Sequence, residues 1–257
     1  MSPSSEHAAS TAPLTGLEWS KAVPDAAARP RLRLITSDDL ERTDADERNE
    51  RLRRMLNVVA AVVGIVLAAP LMLVIALLIR LSSPGPVVYR QLRVGVDRRR
   101  PGAHYDGRRK EDHGGRLFTI YKFRTMRPAT TNEQVWATPD DDRVTAVGRV
   151  LRKYRLDELP QLFNVLRGDM NVVGPRPEQP RIFATLREEV DNYPLRQRVL
   201  PGITGWAQIN HNYDQCIEDV RTKVRYDLEY LEKASPSQDL QILLRTVPVV
   251  LFKKGAW

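Results

Sequence analysis

Residues 55–79 read MLNVVAAVVGIVLAAPLMLVIALLI, 25 positions without a charge. As an α-helix this run would measure roughly 37 Å, enough to cross a hydrocarbon core of about 30 Å. A buried helix of a soluble protein rarely needs that length, so the run is expected to enter a membrane. Arg51, Arg53 and Arg54 precede it, and Arg80, Arg90 and Arg93 follow it. A simple span carries its Lys/Arg bias on one side only. Pro70 lies inside the run; it lacks an N–H and its ring clashes with the carbonyl of Val66, which kinks a helix. A helix that kinks at Pro70 and leaves by the face it entered satisfies both observations. A straight span with a tolerated proline satisfies the second alone.

The rest of the chain is organised around this segment. Its 257 residues suffice for one large domain, with 42% hydrophobic and 28% charged residues, as in globular proteins. The net charge of +8 is unevenly placed: −1 over 1–54, none over 55–79, +9 over 80–127 and 0 over 128–257. The whole basic excess thus follows the apolar run, where a membrane-surface or phosphate-binding role would put it. The single cysteine, Cys216, excludes a disulfide framework and a Cys-rich zinc site, and the four histidines lack metal-ligand spacing. Residues 1–50, rich in Ser, Ala, Pro, Asp and Arg, read as a disordered polar tail. No small-residue cleavage site follows the apolar run, so it is not a signal peptide. The expected division is a tail over 1–50, a re-entrant membrane helix over 51–81 and a cytosolic domain over 82–257. The expected fold class is mixed α/β, mainly helical and membrane-associated, with a small sheet.

Within 82–257, Ser82-Ser83-Pro84-Gly85-Pro86 marks a turn. Val87–Gln91 and Leu117–Met126 read as strands around a basic, Gly-rich loop over 96–115. Thr145–Tyr154 reads as a basic helix. Leu159, Leu162, Phe163 and Leu166 keep helical spacing up to Gly168. Residues 181–198 and 217–233 are expected to be helical, and Asp239–Leu251 is an apolar amphipathic stretch, either core or lying on the membrane. Asp140-Asp141-Asp142 reads as a turn and N-cap for the next helix.

The stretch that carries chemistry is Arg149–Pro177, RVLRKYRLDELPQLFNVLRGDMNVVGPRP. Pro160 is tolerated in a first helical turn, which predicts a helix beginning near Asp157. Asp157 can then be an ordinary N-cap with Glu158 beside it. The same physics allows an ionised aspartate to attack phosphorus, and two adjacent carboxylates to share Mg²⁺ with substrate phosphates. Arg149, Arg152 and Arg155 recur every three residues, Lys122 and Arg124 come from the preceding strand, and Arg176 lies in Gly174-Pro175-Arg176-Pro177. A solvated basic face has this appearance too. Two carboxylates amid many cations beside a membrane segment suit an anionic substrate with a lipid partner, and diphosphates are the obvious class.

Taken together, five stretches resemble the bacterial sugar transferases, the monotopic polyprenyl-phosphate phosphoglycosyl transferases. They are Ser83-Pro84-Gly85-Pro86-Val87 with Tyr89-Arg90-Gln91; Tyr121–Met126 (YKFRTM); Arg155–Gln161 (RLDELPQ); Val173–Pro177 (VGPRP); and Pro201–Gln208 (PGITGWAQ). They stand in the family's order over roughly residues 51–257. The resemblance implies transfer of a sugar-1-phosphate from a nucleotide-diphosphate sugar, usually a UDP-sugar, to polyprenyl (undecaprenyl) phosphate, releasing UMP. In such enzymes this is the first membrane step of exopolysaccharide or other glycoconjugate synthesis, on the cytoplasmic face of the bacterial inner membrane. It implies that Asp157 and Glu158 are catalytic: Asp157 forms an aspartyl phosphosugar, and Glu158 with Asp157 holds Mg²⁺ (or Mn²⁺) or assists proton transfer, while Lys122, Arg124, Arg155 and Arg176 neutralise phosphate. It also implies a re-entrant helix kinked at Pro70. The implied partners are a UDP-sugar, polyprenyl phosphate and membrane lipids, and not nucleic acid; the oligomeric state and the sugar stay open.

Two departures stand out: Ala69-Pro70 replaces the family's frequent Ser-Pro, and His211-Asn212 replaces Gly-Arg after the tryptophan loop. The short tail resembles that of the compact members. The competing reading is a non-enzymatic, membrane-anchored basic protein that binds anionic lipid or nucleic acid. It has no use for a carboxylate pair among its cations.

Overall fold

In the computed structural model one helix, α1, runs from Asp44 to Ser82 as a single element through Pro70. The structure describes residues 44–98, 113–127, 141–211 and 216–251, so most of the expected tail, much of the basic loop, and Asp140 lie outside the described residues. Among the described residues α1 is the one helix long and apolar enough to cross a bilayer, and only 11% of its most apolar stretch is buried.

Its few polar residues decide how α1 lies. Arg53 and Asn57, one turn apart, are both buried. Arg53 pairs with Asp239 at 2.9 Å and donates to the Tyr230 hydroxyl. The Asn57 amide donates to the Arg53 carbonyl at 2.7 Å, and its Oδ1 accepts from the Val172 N–H at 2.6 Å. Arg54 donates to the carbonyls of Val165, Leu166 and Met170, satisfying acceptors that a helix end leaves open. Further along, Ala61, Ile75 and Ile79 are buried, and Gly64 lies so close to Leu162 that a Cβ would meet it at 3.2 Å. Ser83 closes the row: Arg124 donates to its carbonyl at 2.7 Å, to its hydroxyl at 3.0 Å and to the Ile79 carbonyl at 3.3 Å. From Arg53 to Gly64 and from Ile75 to Ser83 these positions recur every three or four residues, and the eleven-residue step from Gly64 to Ile75 makes about three turns, so they share one side of the helix. The other side exposes Val59, Val63, Val66, Leu67, Leu73 and Leu81. Both ends of α1 thus pack against residues that follow it in the chain.

Those residues build a mainly helical unit with two small sheets among the described residues, where one sheet was expected. β1 (Val88–Val94) pairs antiparallel with β2 (Leu117–Phe123), in register from Val88↔Phe123 to Val94↔Leu117. Phe118 and Ile120 pack against Ala61, Val165 and Met170. By the period of two, Lys122 shares their face, as do Tyr89, Gln91 and Arg93 across the ladder. α2 (Ala146–Lys153) starts at Thr145, whose hydroxyl accepts from the Gly148 N–H at 2.9 Å. The cap is therefore Thr145, and Asp141 instead closes a turn by accepting from Arg143. α3 (Gln161–Arg167) ends at Gly168, where φ is +83°.

β3 (Asn171–Val173) and β4 (Gly202–Thr204) form a parallel pair too short to leave a periodic signal. α4 (Pro180–Glu189) stops before the expected 198, because Asn192 turns left-handed at φ 61° and a 3-10 helix, Tyr193–Arg198, follows. α5 (Trp206–Asn210), α6 (Ile217–Lys233) and α7 (Pro236–Leu251) complete the unit. One side of α7 is core, as its sequence allowed: Ile242 is buried, while Leu240, Leu244 and Val247 face outward.

Gly148 is where α2 meets the end of β2; a Cβ there would sit 1.9 Å from the Thr125 carbonyl oxygen. Elsewhere in a helix Gly→Ala gains about 1 kcal/mol. Here overpacking against backbone outweighs that gain, and Gly148→Ala is expected to destabilise by roughly 1–3 kcal/mol, seen as a lower unfolding midpoint.

Candidate active site

Between α2 and α3 the chain makes one 3-10 turn, Leu156–Glu158, in place of the expected start of an α-helix near Asp157. Pro160 has no N–H to return to Leu156, so the turn closes with shorter-range bonds, Glu158 N–H to the Arg155 carbonyl and Leu159 N–H to the Leu156 carbonyl. Arg155 enters the turn left-handed, at φ 53°. That conformation is costly for a residue with a long side chain and is often retained where geometry serves a site.

The turn buries both carboxylates: Asp157 is 9% exposed and Glu158 6%. Their surroundings differ sharply. Glu158 Oε1 accepts from Lys122 Nζ at 3.1 Å and from Arg176 Nη2 at 2.8 Å. Burial alone would raise the Glu158 carboxyl, but Arg176 and Lys122 outweigh it and hold the group well below the usual carboxylate range. Asp157 has no hydrogen bond or ion pair among the described residues. Burial raises its carboxyl above the ordinary value; Lys122 opposes this and the Glu158 charge adds to it. One turn therefore holds a neutralised carboxylate and, next to it, an unpartnered one. Lys122 is itself pushed down by burial, against the pull of Glu158.

The remaining expected phosphate-binding residues fall in different places. Arg155 acts on Glu158 through its field. Arg124 lies on the closing carbonyls of α1, away from the pair's hydrogen bonds. Pro70 stands within the apolar part of α1. Arg152 bears on Asp157 electrostatically and donates to Thr125 Oγ1 at 3.1 Å. Arg93 was not foreseen within the field of Lys122 and Glu158; strand alternation counted from Tyr89, the partner of Lys122, would have found it.

No group of three or more His, Cys, Asp or Glu side chains converges among the described residues. Asp157 and Glu158 offer oxygen donors only, which suits a hard divalent ion that keeps its waters and shares phosphate oxygens, and does not suit a closed protein cage.

The sequence pattern described as bacterial sugar transferase matches residues 48–253, which include most of α1, the carboxylate turn and the Arg176 loop. The chain belongs to the bacterial sugar transferase family. It is 42% identical over 206 residues to the UDP-N-acetylgalactosamine-undecaprenyl-phosphate N-acetylgalactosaminephosphotransferase of Aeromonas hydrophila, covering 80% of this chain and 45% of that protein. To the UDP-glucose:undecaprenyl-phosphate glucose-1-phosphate transferase of Escherichia coli K12 it is 39% identical over 212 residues, covering 81% and 42%. To the protein of that same name in Caulobacter vibrioides it is 40% identical over 208 residues, covering 80% and 72%. The match thus spans less than half the length of the first two relatives.

The unequal carboxylates predict opposite stability effects. Asp157 binds its proton more tightly folded than unfolded, so folding loses stability as pH rises above the ordinary aspartate range. Asp157→Asn escapes that loss: its unfolding midpoint should exceed wild type at about pH 8, with the gain fading towards about pH 4. Glu158 contributes stability above its unfolded pKa that is lost only as pH falls through its depressed folded value. Glu158→Gln leaves Lys122 and Arg176 without their partner and should cost about 3 kcal/mol at neutral pH. Thermal unfolding in detergent at several pH values checks both.

Proposed function

We propose that this chain transfers a sugar-1-phosphate from a UDP-sugar to polyprenyl phosphate. The observation that carries the reading is the buried, unpartnered Asp157 beside a Glu158 already neutralised by Lys122 and Arg176. Asp157 Oδ attacks the sugar-bearing phosphorus of the donor. A P–O bond forms to the aspartate, the P–O bond to the nucleotide breaks, and UMP leaves with that electron pair. An oxygen of polyprenyl phosphate then attacks the same phosphorus, the P–Oδ bond breaks, and Asp157 returns as carboxylate. The lipid leaves as polyprenyl diphosphate-sugar. Arg176, Lys122, Arg152 and Arg155 offset the charge of the phosphoryl group. A Mg²⁺ (or Mn²⁺) ion held by Asp157 and Glu158 would supply further charge neutralisation at the phosphates. Because the phosphosugar rides on Asp157, water-soluble donor and lipid acceptor need not bind together.

The same reading sets α1 in one leaflet of the bacterial inner membrane, entering and leaving by the cytoplasmic face, with the kink at Pro70. Support comes from the ties at both helix ends, Arg53 to Asp239 and Arg124 to Ser83, which a straight span could not make to one cytosolic domain. The apolar side turned away from that domain would meet the lipid tails. With Cys216 changed to serine, single cysteines at Arg51 and Pro86 should both react with a membrane-impermeant thiol reagent only from the cytoplasmic side. Labelling of the two from opposite sides would overturn the topology.

UMP release from a panel of UDP-sugars, with Mg²⁺ and polyprenyl phosphate, tests the chemistry. Wild type should release UMP from at least one donor, Asp157→Asn slower by on the order of 10⁴-fold or more, and Arg176→Ala by about 10²–10³-fold. Without acceptor, the intact-protein mass should rise by one phosphosugar. Turnover by Asp157→Asn at the wild-type rate would remove it as nucleophile.

A further inference from the structure

Arg176 stands on an irregular loop, residues 174–178, yet four consecutive carbonyls of that loop are each held from outside it. Pro175 accepts from the Gly202 N–H at 2.9 Å and Glu178 from the Val94 N–H at 2.9 Å. The two between them are held by arginine side chains: Arg196 Nη2 donates to the Arg176 carbonyl at 2.9 Å, and Arg93 Nη1 to the Pro177 carbonyl at 3.1 Å. Neither arginine belongs to the carboxylate pair's own contacts. Both are balanced by one acid. Glu178 lies 3.7 Å from Arg196 and 3.9 Å from Arg93, and accepts from Lys223 Nζ at 2.8 Å. The fully buried Arg196 has a second partner in Asp227 at 2.7 Å, and Arg93 is steadied by Gln91 Oε1 at 2.7 Å.

Backbone N–H groups or ordinary turn hydrogen bonds can fix a loop at far less cost than two desolvated guanidiniums. Holding the carbonyls on both sides of a Cα does something more specific: it fixes the direction in which that side chain projects. Arg176 lies between the Pro175 carbonyl, held by Gly202, and its own, held by Arg196; Arg93 holds the next peptide at Pro177, and the far end of the Arg176 side chain meets Glu158. We propose that Arg93, Arg196 and Glu178 form a positioning clamp that orients the Arg176 guanidinium towards the transferred phosphoryl group without touching the substrate. This rests on the phosphoryl-transfer reading above. A misplacement of about 1 Å at such a group costs on the order of 10²-fold in rate.

The test is a pair of double-mutant cycles on the full chain in detergent: Arg93→Gln and Arg196→Gln, each alone and combined with Arg176→Ala, read by UMP release. Each single variant should lower kcat about 10–100-fold, with a smaller change in the donor KM. In the Arg176→Ala background neither should lower it further, because the group they orient is gone. Factors that multiply in the double variants, or singles that leave kcat unchanged, overturn the clamp. If Arg196→Gln fails to fold, Arg93→Gln decides alone, since it leaves the Arg196–Asp227 and Lys223–Glu178 pairs in place. Amide hydrogen exchange at Gly174, Gly202 and Val94, whose N–H groups bond from or to the loop backbone, reads the clamp independently of turnover. Faster exchange there in Arg93→Gln, with α6 still protected, supports it, and unchanged exchange overturns it even if no donor sugar is ever found.

Discussion

A carboxylate removed from water must be matched by cations or it will not stay charged, and Glu158 is matched twice. Lys122 arrives from β2 and Arg176 from the loop after β3, so one oxygen atom ties together three chain segments far apart in sequence. Each segment is held in turn by the rest of the fold. β2 is registered against β1, the carboxylate turn is set between α2 and α3, and β3 rests on Asn57 of α1. The pairing frees Asp157: with both cations turned to its neighbour, it keeps an unpartnered carboxylate in a buried place. The two acids are adjacent in sequence and chemically opposite because only one of them is paired.

α1 obeys a second constraint. Most long apolar helices carry their polar residues at the ends, where water or lipid headgroups take them. Here Arg53, Arg54 and Asn57 are spent on the protein, each donating to or accepting from a group of the packed unit. The helix is thereby fixed lengthwise along the domain, and its apolar surplus is confined to the side that points away.

Much of this was legible in the residues. The uncharged run over 55–79, the strands around Tyr89 and Lys122, the Leu159–Leu166 spacing with Gly168, and the carboxylate pair among cations each carry a local signal that the structure keeps. What stayed hidden depends on distant neighbours. The β3–β4 pair is three residues a side, below the length at which alternation can be counted. Asp157 read as an ionised residue at a helix start; it sits in a 3-10 turn with its carboxyl raised, because burial and the Glu158 charge outweigh the pull of Lys122, Arg176 and Arg152. Arg124 looked like one more phosphate-seeking cation of a basic strand, and no local rule says that the end of α1 would reach it first. Glu178 and Arg196 gave no signal at all, since Glu178 is meaningful only through Lys223 of α6 and Arg93 of β1, and Arg196 through Asp227 of α6 and the Arg176 carbonyl.

The outward side of α1 has a consequence for how an enzyme of this kind would be measured. A protein held at a membrane meets a lipid acceptor by lateral diffusion, so the encounter rate follows the number of acceptor molecules per unit of surface. Adding detergent or carrier lipid at fixed acceptor dilutes that surface and slows the second half-reaction, while the first, fed from water, is untouched. An apparent KM for the lipid quoted in bulk units would then describe the micelle as much as the protein.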